Sequence, residues 1–183
     1  RPFRPGSEVP SRPMLEALLV STAIVAVGEL GDKTQLLSLV LAARFQKPWP
    51  IVAGILVATL ANHALAGLAG NWVRSVVPED VLRWLLALSF FAVAAWALKP
   101  DKLDDDGAPP ASRWGVFAAT TVAFFIAEIG DKTQIATVML AAKFESLGAV
   151  VVGTTLGMLV VNVPTVFLGN AASARIPFRL VRI

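Results

Sequence analysis

Cysteine is absent from this chain and histidine occurs only once. Disulfides, thiolate metal sites and thiol nucleophiles are thereby excluded. Zn²⁺ and Cu⁺, which favour imidazole and thiolate ligands, are disfavoured for the same reason. Charge is also scarce: Asp, Glu, Lys and Arg make up 16% of the 183 residues, against about 25% in soluble domains. No phosphate-binding loop or nucleophile–base constellation is present, which argues against an ATP-driven pump or an enzyme. What is abundant is apolar: 56% of the residues are hydrophobic. They fall in blocks of about 18 residues or more, the length a membrane-spanning helix requires. A soluble protein with buried helices would show shorter apolar runs and more charge between them. The net charge of +3 comes from Lys and Arg scattered at segment ends, a pattern of topology and headgroup anchoring that does not suit nucleic acid.

The charges that do enter the apolar blocks are concentrated in one motif. Glu29-Leu-Gly31-Asp32-Lys33-Thr34-Gln35 recurs as Glu128-Ile-Gly130-Asp131-Lys132-Thr133-Gln134. A carboxylate at the bilayer centre costs roughly 2.5–3.5 kcal/mol on insertion scales, so four cost on the order of 10 kcal/mol before partners are counted. A pair of interhelical salt bridges would explain one Glu–Lys couple. It explains poorly two identical motifs, each with an additional carboxylate and an amide. A bound cation is the expected offset.

The repetition extends well beyond the motif. At an offset of 99 residues, Leu41-Ala-Ala-Arg-Phe45 falls on Leu140-Ala-Ala-Lys-Phe144, Gly54 on Gly153, Gly70-Asn71 on Gly169-Asn170, Pro78 on Pro177 and Arg83 on Arg182, without a gap. The chain is thus a duplicated unit. It divides into a polar, Pro-rich tail at 1–13, which lacks the apolar core of a secretion signal, a first repeat at 14–98, an acidic linker at 99–112 and a second repeat at 113–183. The first repeat reads as three spans, near Met14–Ala43, Ile51–Val73 and Val81–Leu98. The second reads as Arg113–Ala142, Ala149–Asn170 and a third beginning near Ile176, truncated in this sequence, with the natural chain expected to continue. Trp49, Trp72, Trp84, Trp96 and Trp114 lie near span ends, where the headgroup layer favours them.

Three spans per unit make the second copy enter the bilayer from the opposite side. The expected fold is therefore an all-α polytopic membrane protein of two inverted repeats of three transmembrane helices (3+3), a plan whose sites lie near the midplane between repeats. Arg44, Lys47, Lys99, Lys102, Arg113, Arg175, Arg179 and Arg182 fall on the linker side, against Arg1, Arg4, Arg12, Arg74, Arg83 and Lys143 on the other. The excess places the linker in the cytoplasm.

On a continuous helix Glu29 and Asp32 share one face, and Gln35 extends that stripe. The second copy supplies Glu128, Asp131 and Gln134. Together they predict an oxygen site for a hard divalent cation such as Mn²⁺, Ca²⁺ or Mg²⁺. Gly31 and Gly130 are expected to let a neighbouring helix approach, or to break the helix. A first span of about 30 residues would be roughly 45 Å long, more than a hydrocarbon core of about 30 Å, so tilt or a break is needed. Lys33 and Lys132, at i+4 from the glutamates, either pair with them or orient the carboxylates and leave when metal binds. Thr34 and Thr133 point away from the carboxylate face of an ideal helix and are read as supporting. Asn62, His63 and Asn162 lie mid-span, His63 opposite Asn162 in the repeat register, and either line the pathway or are satisfied core residues. Asp104-Asp-Asp106 reads as a solvated charge run, and Gly54, Gly67, Gly70, Gly153, Gly157 and Gly169 as close helix packing.

The doubled motif, and nearly all of the chain from Met14, resembles the Glu-x-Gly-Asp-Lys-(Thr/Ser) membrane family. That family includes Golgi manganese/calcium transporters and bacterial manganese exporters. The resemblance implies a 3+3 helix arrangement and cation/proton antiport, with Glu29, Asp32, Glu128 and Asp131 as the cation-binding residues and Lys33, Thr34, Lys132 and Thr133 as part of the signature. The expectation is an exporter in the plasma (inner) membrane that exchanges cytoplasmic Mn²⁺, or secondarily Ca²⁺, for protons. Protons and metal would compete for the same oxygens. The partners are the ion, protons and the bilayer. Nucleic acid is not among them, a homo-oligomer is compatible with the sequence, and no resident cofactor is expected. Two rival classes share these features: an exporter of small organic solutes, and a passive cation channel.

Overall fold

Glycine at positions 31 and 130 is left-handed, with φ of +77° and +75°. Glycine adopts that conformation at no steric cost, which suits it to end a helix, and the two breaks set the course of the chain. In the computed structural model, which describes residues 12–98 and 115–175, the chain forms α1 (Arg12–Glu29), α2 (Lys33–Phe45), α3 (Pro48–Val76), α4 (Glu79–Ala97), α5 (Gly115–Glu128), α6 (Lys132–Lys143) and α7 (Leu147–Arg175). Among the described residues there is no strand. The first expected span is thus two helices, α1 and α2, bent by 71° at the motif. The second motif breaks the chain in the same way between α5 and α6. This corrects the reading of Glu29 and Asp32 as one stripe on a continuous helix, and of the two roles open to Gly31 and Gly130 it bears out the break and not close packing. A Cβ at either glycine would meet nothing within 4 Å, so no neighbouring helix presses on them.

The two long helices α3 and α7 occupy equivalent places in the 99-residue register and pack on each other. α1 lies along α7 as α5 lies along α3, and α2 meets α7 as α6 meets α3. Each broken pair therefore packs chiefly on the long helix of the other unit. One pair of close approaches repeats in register. A Cβ built on Gly54 would stand 2.8 Å from Thr120, and one on Gly153 would stand 2.9 Å from Ser21. Close approach at glycine is the usual means by which helices associate where lipid removes the hydrophobic drive. Apolar packing is doubled too. Leu41, Ala42 and Ile51 sit in one buried cluster, and their register equivalents Leu140, Ala141 and Val150 sit in another.

Large apolar side chains also face outward, Val27, Leu65, Leu88, Phe91, Ile126 and Leu168 among them. Exposed apolar surface on that scale suits lipid and not water. By length and composition, Pro48–Val76 and Leu147–Ala172 can each cross a membrane, and α1 with α2 makes a third crossing if read as one broken span. The four described tryptophans, Trp49, Trp72, Trp84 and Trp96, are exposed and lie near helix ends. The tail at 1–11, the linker with Asp104–Asp106, Trp114 and the segment from Ile176 lie outside the described residues, as do Arg1, Arg4, Lys99, Lys102, Arg113, Arg179 and Arg182 of the orientation count.

Candidate functional site

The break places a helix N-terminus in each motif. Asp32 is the N-cap of α2, and its carboxylate accepts from the Thr34 N–H; Asp131 caps α6 and accepts from the Thr133 N–H in the same way. An aspartate is among the preferred caps, and its charge suits the positive end of the helix dipole. Three residues into each helix, Gln35 Oε1 accepts from the Gly31 N–H, and Gln134 Oε1 from the Gly130 N–H, both at 2.8 Å. This reciprocal arrangement is close to a capping box, and it corrects the expected role of the two amides. Their carbonyl oxygens hold the turns, and Gln35 Nε2 reaches Thr165 on α7 at 3.2 Å.

Around these turns charge is buried on a scale a protein core seldom permits. Glu29, Asp32, Glu128, Asp131 and Lys132 are all at most 4% exposed. Glu29, Asp32 and Asp131 each bring a carboxylate oxygen within 4.8 Å of the others. Two of these residues come from the first motif and one from the second, so the copies do meet. Glu128, the fourth expected member, is outside this group. Its Oε1 accepts from Thr59 on α3 at 2.8 Å, and its Oε2 lies 3.9 Å from His63 Nε2. The register explains the difference. The equivalent of Thr59 is Met158, which has no hydroxyl to hold Glu29 in the corresponding way.

The lysines pair across the copies. Lys33 Nζ is 3.3 Å from Asp131, and Lys132 Nζ is 2.5 Å from Asp32. Pairing with the glutamate four residues back, one of the two expected arrangements, is lost because the chain breaks between them. The same break overturns the outward direction expected of the threonines. Thr34 Oγ1 lies 2.5 Å from Glu29 Oε2 and 3.2 Å from Asp32 Oδ2, while Thr133 Oγ1 lies 3.1 Å from Asp131 Oδ2.

The mid-span polar residues also obey the register. Asn162 Nδ2 lies 3.4 Å from Glu29 Oε2 and its Oδ1 accepts from Ser38 at 2.6 Å, so α7 supports the first motif's glutamate. His63 occupies the matching place beside Glu128 on α3 and is fully buried, with no hydrogen bond to either ring nitrogen among the described residues. Asn62 instead donates to the Phe125 carbonyl at 3.0 Å. Thr59, Ser38 and Thr165 are site neighbours that sequence reasoning missed. The only available signal was a hydroxyl in an apolar helix, which is too common to single them out.

Glu29 Oε1, Glu128 Oε2 and Asn62 Oδ1 are buried oxygens without a hydrogen-bond partner among the described residues, and the first lies in the carboxylate group. A buried carboxylate oxygen left bare is costly. The one at Glu29 is placed as a site for an oxygen-seeking cation requires.

Comparison with known proteins agrees with this chemistry. Residues 17–105 and 116–183 match a family described as "Divalent cation/proton antiporter GDT1". The chain belongs to this family, which consists of transporters and not enzymes. A Vibrio cholerae protein named "Putative manganese exporter" is 51% identical over 174 residues, covering 94% of this chain and 86% of its own length. A Synechocystis protein named "GDT1-like protein sll0615" is 28% identical, covering 93% and 91%. A rice relative named "GDT1-like protein 3" is 26% identical, covering 92% of this chain and 68% of its own. No solved structure matches the chain.

Proposed function

We propose that this protein exports a divalent cation, Mn²⁺ first and Ca²⁺ second, from the cytoplasm in exchange for protons. The observation that carries the reading is the buried group of Glu29, Asp32 and Asp131, assembled from both copies of the motif with a bare oxygen at Glu29. These three carboxylates are the proposed ligands. Thr34, Thr133, Gln35 and Gln134 shape the two turns, and Gly31 and Gly130 permit them. Glu128 with Thr59 and His63 forms an adjoining polar position on the pathway, where Asn62 and Asn162 also lie.

The exchange follows from competition. Three carboxylates so close together in a dry interior cannot all stay charged when the metal leaves. Protons can replace it on the same oxygens, so the two fluxes are coupled without nucleotide hydrolysis. Access to one side at a time comes from two inverted repeats, 14–98 with three spans and 113–183 with two and the start of a third, rocking against each other. The register-related packing of α1 on α7 and α5 on α3 supports this layout. The Vibrio cholerae relative's printed name supports manganese and export, and the basic residues on the linker side support a cytoplasmic linker.

Vesicles containing the purified protein test the reading. Mn²⁺ uptake accompanied by proton movement in the opposite direction is expected. Metal flux indifferent to the pH gradient would identify a channel, and organic-solute flux without metal flux would identify the other rival.

A further inference from the structure

The two cross-copy ion pairs are related by the repeat, yet they differ in one respect that matters. Lys132 is buried to the same degree as the carboxylate it serves, its side chain 5% exposed beside Asp32 at 0%. Lys33 keeps 29% of its side chain exposed while it holds Asp131, and its pair is longer, at 3.3 Å against 2.5 Å. Lys33 follows the turn at Leu30 and Gly31, both on the surface. Its flexible four-carbon stem lets the ammonium turn away from Asp131 toward its exposed side. Lys132 has no such exit.

We propose that Lys33 is the displaceable counter-ion of the site and Lys132 the permanent one. In the empty carrier the Lys33 ammonium sits on Asp131 and stands in for the cargo. An arriving divalent ion takes the Asp131 oxygen and expels Lys33 toward the surface, while Lys132 stays on Asp32. The charge count agrees. Glu29, Asp32 and Asp131 with Lys132 alone carry a formal charge of −2, which one divalent cation cancels and one monovalent cation does not. With both lysines in place the same group carries −1. The tethered ammonium therefore covers Asp131 whenever the site returns without metal, and only an ion of charge +2 restores neutrality once it has been expelled. This inference rests on the proposed site and names which of its residues the cargo must displace.

Two measurements on the purified protein decide it. In the first, an amine-acylating reagent is applied across a Mn²⁺ titration and modification is read by mass spectrometry at Lys33 and Lys132. Lys33 modification should rise along the Mn²⁺ binding curve while Lys132 stays protected. In the second, calorimetry compares Lys33→Gln and Lys33→Arg with the unaltered protein. Removing a competing, partly exposed ion pair should tighten Mn²⁺ binding by about three- to tenfold in Lys33→Gln. Lys33→Arg, with a planar fork that grips a carboxylate better, should weaken it. Lys33 modification that stays constant or falls as Mn²⁺ binds overturns the inference alone, as does Lys33→Gln binding equally or more weakly. Absence of Mn²⁺ binding by the unaltered protein overturns the proposed function with it. The labelling result stands even where a variant fails to fold.

Discussion

Asp131→Asn and Asp32→Asn remove the same atom from register-equivalent residues, yet the structure predicts different consequences. Asparagine is as good an N-cap as aspartate, so α2 and α6 should still start where they do. Each variant withdraws one of three converging carboxylates. Removing one member of a buried charged set costs about 3–5 kcal/mol, or roughly two to three powers of ten in Kd. Both variants should therefore lose most of their Mn²⁺ affinity. Stability should separate them. Asp131→Asn releases Lys33, whose side chain is 29% exposed and so is not confined to the interior, and the melting temperature should hardly change. Asp32→Asn takes from Lys132, whose side chain is 5% exposed, the carboxylate it holds at 2.5 Å in the interior. The same 3–5 kcal/mol then falls on the fold, and for a chain of this size lowers Tm by about 10 °C. Thermal melts in detergent, with calorimetric Mn²⁺ titration of both variants, make the comparison. Equal melting temperatures would refute the burial argument, and retained affinity in either variant would refute the ligand assignment.

Three further outcomes follow from the same geometry. Thr34→Val removes a hydroxyl that touches both Glu29 and Asp32, so Mn²⁺ should bind about tenfold more weakly in calorimetry; Thr133→Val, whose hydroxyl reaches only Asp131 within its motif, should cost less. Gly31→Ala places a methyl group in open space but at a φ of +77°, so it should destabilise by about 1–2 kcal/mol in thermal melts through the backbone alone, and Gly31→Asn by less. Lowering the pH should weaken Mn²⁺ binding, because protons favour the empty site; the slope of log Kd against pH counts the protons exchanged, and a flat line would contradict competition.

The duplication, the all-helical class and the doubled acidic motif were legible in the residues, because each is a matter of composition or of identity at a fixed offset. The break at Gly31 and Gly130 was not decidable. Apolar residues run through both sides of the motif, and a glycine serves close packing and a left-handed turn equally well. Once the break is missed, ideal-helix geometry misplaces its neighbours. It aims Thr34 and Thr133 outward, sends Gln35 and Gln134 into the site and offers Lys33 and Lys132 their own glutamates as one of two arrangements. All three share that one cause. The offset of Glu128 was hidden for a different reason. It depends on a departure from the repeat, Thr59 in α3 where α7 has Met158, and symmetry arguments overlook such departures.

The central claim is that turns from both copies of the motif share one divalent ion. An anomalous-scattering map of the Mn²⁺-loaded protein tests it most directly. The account predicts a single peak in contact with carboxylate oxygens of Glu29, Asp32 and Asp131 together. A peak held by one motif alone, or two separate peaks with one at each turn, would contradict it.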